Sequence, residues 1–210
     1  MSTTVPRDYS HIAVFYDQIF NGFLNEGHQL IGQLINEERP RSRKKVLEIG
    51  VGSGLTLNHL PRMIQYTGVD INEKMLHLAS LKMKALKRRE YKLELMDAER
   101  LRFKNDSFDF VIAASVLTAV QNPKNTLSEM IRVTKPGGKI AIVANIRKKG
   151  SLSSHLLKRL DPLTKKYLGF RMDLDGEYFD RFRSIRLLGK TQVNRILGMP
   201  LSTFLIFEKV

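Results

Sequence analysis

Three carboxylates stand in or directly after three apolar runs in the first half of this chain, and the first of them lies beside a cluster of glycines. Glu48 interrupts Val46-Leu47-Glu48-Ile49, and Gly50-Val51-Gly52-Ser53-Gly54 follows at once. Asp70 ends Tyr66-Thr67-Gly68-Val69-Asp70, and Asp97 follows Leu93-Glu94-Leu95-Met96, ahead of Ala98. Short apolar runs of this kind read as strands covered on both faces. Glycines directly after such a strand let the backbone turn sharply and approach a ligand where any Cβ would collide. A carboxylate at the edge of the next strand, 20 positions after Gly50, can accept hydrogen bonds from both hydroxyls of a ribose. Asp70 is the expected ribose ligand, and Ile71 and Met75 offer apolar surface to a nucleobase face. The glycine loop taken alone also suits a structural turn in an unrelated α/β protein.

The Gly-x-Gly-x-Gly spacing departs from the dinucleotide fingerprint, whose last glycine stands three positions after the second. With Glu48 just before the glycines, the stretch resembles instead the first motif of the class I S-adenosylmethionine-dependent methyltransferases. That resemblance implies S-adenosylmethionine as cofactor and S-adenosylhomocysteine as product. It implies cofactor-binding roles for Glu48, Gly50, Gly52, Gly54 and Asp70, and places Asp97, beside Ala98, where the family holds the adenine amino group. Ser115, directly after the strand Phe108-Asp109-Phe110-Val111-Ile112-Ala113-Ala114, should lie beneath the cofactor or the methyl acceptor.

The elements that must position these residues follow from periodicity. The expected fold is α/β: a Rossmann-like, mostly parallel central sheet with helices on both faces, a C-terminal antiparallel hairpin and an N-terminal helical lid. His11 to Asn36 reads as helical, with Gly22 and Gly27 dividing it in two; the first half, rich in Phe and Tyr, suits a lid or a membrane-contacting element. Leu55 to Leu60 can start a helix that Pro61 limits. Asn72 to Arg89 reads as a helix with Met75, Leu78, Ala79, Met83 and Leu86 inward and Lys74, Lys82, Lys84, Lys87, Arg88 and Arg89 outward. Asn125 to Val133 is a further helix, and Lys135-Pro136-Gly137-Gly138 a tight turn into the strand Ile140 to Ala144. Arg186 to Lys190, Gln192 to Ile196 and Leu201 to Glu208 read as strands around a turn at Leu197 to Pro200.

Composition narrows the setting. The 210 residues suit one domain, 1–210, with 1–36 as the lid or membrane element and 147–176 as a basic insertion. No run of about 20 apolar residues is present to span a bilayer, and Met1 to Pro6 lacks the features of a secretory signal. There is no cysteine, and the five histidines form no helical pair beside acids, so no metal is expected. A formal net charge of +14 points to an anionic partner, nucleic acid or membrane, or simply to a solvated surface. Leu152, Leu156, Leu157 and Leu160, flanked by His155, Lys158 and Arg159, give the insertion an amphipathic basic helix; its plainer reading is a flap closing over the sheet.

Tyr16-Asp17-Gln18-Ile19-Phe20, the three acidic motifs and the basic insertion together most resemble the soluble bacterial phospholipid N-methyltransferases, which convert phosphatidylethanolamine towards phosphatidylcholine. Quinone-biosynthesis C-methyltransferases are resembled nearly as well. The lipid resemblance implies a phospholipid substrate and an anionic membrane surface as partner; with no cysteine the expected location is the cytoplasm, peripherally at the inner face of the cell membrane, and a monomer is expected. Tyr9 and Tyr16 are the catalytic candidates, able to border the transferred methyl or simply to pack the lid. An RNA methyltransferase would also account for the charge, yet Ser115-Val116-Leu117 stands where an Asn-Pro-Pro-Tyr type signature would fall, so nucleic acid is not the expected partner.

Overall fold

The computed structural model describes residues 13–38, 43–146, 174, 176–196 and 199–210. Tyr9 and nearly all of the basic insertion lie outside the described residues, as does the side chain of Tyr16.

Seven strands form one sheet: β1 (Lys44–Ile49), β2 (Ile64–Asp70), β3 (Tyr91–Leu95), β4 (Phe108–Ala114), β5 (Thr134–Ala144), β6 (Ile185–Ile196) and β7 (Met199–Lys209), in the order β3-β2-β1-β4-β5-β7-β6. The first five are mutually parallel, and β7 enters antiparallel between β5 and β6. This is the expected Rossmann-like sheet with its antiparallel hairpin. Strand order reverses between β1 and β4, the crevice where open α/β sheets bind ligands.

Strand alternation divides the core. Val46, Phe110, Ile112, Ala141 and Val143 face one layer, formed with Ile31, Leu34 and Ile35 of α1 (Ala13–Glu37) and Leu76, Ala79 and Met83 of α2 (Glu73–Ala85). Leu47, Ile49, Val111, Ala113, Ile140 and Ile142 face the other, with Leu127, Met130 and Val133 of α3 (Pro123–Val133) and Phe179 from a short 3₁₀ turn. Helices therefore cover both faces. Asn72 and Asn122 cap α2 and α3, each side-chain oxygen accepting two backbone N–H groups that the first turn leaves free.

Several elements differ from expectation. α1 runs unbroken through Gly22 and Gly27, since a glycine costs a helix only about 1 kcal/mol and Gly27 is where α1 presses on Val143. Leu55 to Leu60 forms only the single 3₁₀ turn Thr56–Asn58; Pro61 disfavours a helical residue before it, leaving too few residues to propagate. α2 stops at Ala85, not Arg89. The Lys-Pro-Gly-Gly turn is absorbed into β5 as an irregularity: Phe108 and Phe110 pair with Thr134 and Lys139, so three extra residues bow out, with Gly137 at φ 71°. β6 is one strand rather than two. Among the described residues no helix is long and apolar enough to cross a membrane.

Candidate functional site

The C-terminal edge of the parallel strands gathers the residues marked by the sequence. β1 ends at Ile49 and the chain turns through Gly50, Gly52 and Gly54, all left-handed at φ 64°, 54° and 82°. The Val51 N–H bonds the Val69 carbonyl of β2 at 3.0 Å, and the Gly54 N–H closes the turn on the Val51 carbonyl at 2.9 Å. A Cβ at Gly50 would collide with the Val116 side chain, which follows β4, so this glycine lets the two strand ends approach. At Gly52 nothing stands within 4 Å of a Cβ position. That open space, beside a left-handed backbone, is the cradle through which a ligand can reach the main chain.

Asp70 terminates β2, facing this loop. Its Oδ2 accepts the Gly52 N–H at 2.8 Å and its Oδ1 the Asn72 N–H at 2.9 Å. Burial pushes its pKa up, opposed by the backbone N–H groups of Asn72, Gly52 and Ile71. A carboxylate oxygen has two lone pairs, so each Asp70 oxygen can accept a further hydroxyl while fastening the loop. Ile71 is 74% exposed, an apolar side chain held in solvent next to Asp70, the expected ribose ligand, and Met75 is half-buried in the first turn of α2. Asp97 is exposed two residues beyond β3, its Oδ1 accepting the Glu99 N–H at 2.9 Å, and Ala98 is buried beside it. Ser115 sits at φ 65° directly after β4, its N–H on the Val143 carbonyl at 2.7 Å. This corner is strained for a non-glycine residue.

Glu48 is placed differently from the other acids. It is 1% exposed and lies below the loop on the α1 and α2 face. Its Oε2 accepts the Tyr66 hydroxyl at 2.6 Å, and Thr56 also hydrogen-bonds it. Burial pushes its pKa from an ordinary 4.5 up to about 7; these two hydrogen bonds pull against the rise, and nearby Asp70 adds to it. Burial and Glu48 together hold the Tyr66 phenol well above its usual range. Gly68 makes the pairing possible, because a Cβ there would stand 3.0 Å from the Tyr66 hydroxyl. The structure thus brings Gly50, Gly52, Gly54, Asp70, Ile71, Asp97 and Ser115 to one edge, with Glu48 as an underpinning of the loop.

Sequence reasoning missed Tyr66 and Thr56 as partners of Glu48. The available signal was Tyr66 within a segment that reads as a buried strand, since a buried phenol needs an acceptor. A cleft of about 350 Å³ between α1 and Pro61 is lined by Gln29, Gly32, Gln33, Asn36 and His59 as well, and by none of the expected site residues. Among the described residues no group of three His, Asp or Glu side chains is placed to hold a metal ion.

A mostly parallel sheet with a glycine turn after β1, an acid at the end of β2 and another just after β3 suits a nucleoside-containing cofactor. Comparison with known proteins gives the class. Residues 47–142 match a methyltransferase domain family. The chain is 34% identical over 152 residues to a phosphatidylethanolamine N-methyltransferase from Cereibacter sphaeroides, covering 71% of this chain and 72% of that protein. It is 30% identical over 180 residues to a demethylmenaquinone methyltransferase of Staphylococcus aureus strain JH9, covering 83% of this chain and 71% of that one. Its fold matches the methyltransferase solved in complex with the Haloferax volcanii Trm112 methyltransferase activator, at a TM-score of 0.72 and 17% identity over 98% of this chain and 99% of that one. The chain belongs to the S-adenosylmethionine-dependent methyltransferases, and S-adenosylmethionine is its cofactor. The open space at Gly52 and the carboxylates of Asp70 and Asp97 fit an amino acid moiety joined to a nucleoside.

Proposed function

We propose that this chain N-methylates the head-group amine of phosphatidylethanolamine, towards phosphatidylcholine, at a membrane surface. The observation that carries the reading is the 34% identity to a phosphatidylethanolamine N-methyltransferase across more than two thirds of both chains. The net charge of +14 supports it, since each Lys or Arg near an anionic leaflet contributes roughly 1 kcal/mol of attraction. In this reading the enzyme is a cytoplasmic monomer, held peripherally at the inner face of the cell membrane, with no nucleic-acid partner.

When bound, S-adenosylmethionine supplies a methyl group on a positively charged sulfur. In the proposed roles Asp70 takes the ribose hydroxyls, Ile71 and Met75 flank the adenine, Asp97 with Ala98 holds its amino edge, and the Gly52 backbone admits the amino acid end. Ser115 floors the site, and Tyr9 and Tyr16 border the methyl group. The acceptor must be a neutral amine. A lysine-like pKa near 10 makes that form cost about 4 kcal/mol at pH 7, and desolvation in a closed site favours it. No dedicated strong base is then required; the chain's contribution is alignment.

The second reading, quinone-precursor C-methylation, is favoured by the 30% identity to a demethylmenaquinone methyltransferase over 83% of this chain. Incubation with labelled cofactor and either phosphatidylethanolamine vesicles or a demethylated quinone, followed by mass spectrometry, separates the two. The lipid reading expects mono-, di- and trimethylated head groups, because an amine regains a lone pair on losing a proton after each of the first two transfers. A methylated quinone with no methylated lipid overturns it.

A further inference from the structure

Arg88 reads from sequence as one more outward cation of α2, and the structure turns it inward. α2 ends at Ala85 with Leu86 as C-cap, and Lys87 follows in the left-handed conformation at φ 53°. The Lys87 N–H bonds the Lys84 carbonyl at 2.9 Å and the Arg88 N–H bonds the Met83 carbonyl at 3.0 Å. These are the two closing bonds of a Schellman turn, whose left-handed position usually holds glycine. A lysine there is strained, so contacts beyond the turn must hold it.

Those contacts are made by the guanidinium. Arg88 Nη1 donates to the Pro61 carbonyl at 2.6 Å, and Nη2 donates to the carbonyls of Leu57, at 3.0 Å, and Leu60. All three acceptors belong to the segment that leaves the glycine loop. Because this segment forms one 3₁₀ turn in place of a helix, its carbonyls lack the onward N–H partners a helix would provide. A planar guanidinium with donors in a fixed fork can span three carbonyls, where an ammonium offers one compact point. The fork thus substitutes for the absent helix. On the other side of the turn Thr56 hydrogen-bonds Glu48, which Tyr66 also holds, so the loop is fastened at both ends of a segment only a few residues long.

We propose that Arg88 is a positioning residue for cofactor binding: by tying the carbonyls of Leu57, Leu60 and Pro61 to the end of α2, it holds the glycine loop in the conformation that keeps the space at Gly52 open. The proposal rests on the cofactor and is independent of the acceptor. It predicts a loss of cofactor affinity in the folded protein, which a contact serving stability alone would not give.

The test is calorimetric titration of the full chain with S-adenosylhomocysteine, well below the unfolding temperature. Arg88→Ala should weaken binding at least about tenfold, and Arg88→Lys should restore little of it, since charge without the fork does not reach three carbonyls. Millimolar guanidinium should partly rescue Arg88→Ala and leave wild type unchanged. Lys87→Gly relieves the left-handed strain and keeps the guanidinium, so it should raise Tm without altering affinity. Wild-type affinity in folded Arg88→Ala overturns the proposal, as does full recovery in Arg88→Lys. If Arg88→Ala does not fold, hydrogen exchange of the wild type decides: S-adenosylhomocysteine should protect the amides of residues 55–60 together with 50–54, and protection confined to 50–54 overturns the proposal.

Discussion

Replacing Glu48 by Gln should make the protein more pH-tolerant in one direction only. Glu48 is 1% exposed, and its pKa rises from 4.5 to about 7 on folding. A pKa raised in the folded state means that the protonated form favours folding. The contribution is fully present below about pH 4.5 and is lost as pH rises through 7. Above pH 7 the folded protein holds a buried carboxylate at a cost on the order of 3 kcal/mol relative to the protonated side chain. Glutamine keeps an oxygen for the Tyr66 hydroxyl, presents an N–H₂ group where Thr56 stands, and never ionises. Its misfit can cost about 1 to 3 kcal/mol, but that cost is the same at every pH. The decisive quantity is therefore the difference in ΔΔG between pH 5 and pH 8, expected to favour Glu48→Gln at pH 8 by about 2.5 kcal/mol. In a chain of this size that corresponds to roughly 5 to 10 °C in Tm. Urea unfolding at the two pH values, without cofactor, measures it. The buried His28, whose pKa burial lowers to about 4, titrates in both proteins and cancels in the comparison. An equal ΔΔG at pH 5 and pH 8 would refute the claim that Glu48 is buried as a titrating acid.

Asp70→Ala should weaken S-adenosylmethionine binding by a few kcal/mol, since each hydrogen bond to a charged partner contributes about 1.5 to 3 kcal/mol; unchanged affinity by calorimetry in a folded variant removes the ribose assignment. Gly50→Ala and Gly52→Ala should separate stability from binding. The first drives a Cβ into Val116, while the second meets nothing within 4 Å and suffers only left-handed strain of about 1 to 2 kcal/mol, yet fills the space a ligand would use. Thermal melts beside titrations should show Gly50→Ala less stable than Gly52→Ala, and Gly52→Ala losing affinity while folded; the reverse order of stability would sink this account of the loop. Replacing Lys148, Lys149, Lys158 and Arg159 by Gln should reduce flotation with anionic vesicles more than with neutral ones, and equal flotation of variant and wild type on anionic vesicles would discard the basic segment as a docking surface.

The strands, the glycine turn and the acids at strand ends were legible because each is encoded locally. A buried parallel strand needs a short apolar run, a left-handed turn favours glycine, and a carboxylate at a strand end follows its run directly. Gly50, Gly52, Asp70 and Asp97 accordingly lie at or just beyond the strand ends that their local runs predict. What the sequence could not decide was the direction of side chains whose partners lie far along the chain. Glu48 sits in the same motif as the glycines, yet register with β2 sets it opposite Gly68 and under the Tyr66 hydroxyl. Arg88 belongs to a run of cations that looks like a solvated helix face, and only the early end of α2 at Ala85 swings it onto carbonyls 27 to 31 residues earlier. Gly22 and Gly27 looked like helix breaks, and the packing of α1 on the sheet outweighed their modest cost. Local pattern determines which segments form strands and turns, because those preferences are paid within a few residues; burial and hydrogen-bond satisfaction are properties of the assembled sheet, and they alone decide which polar groups underpin the loop and which face the ligand.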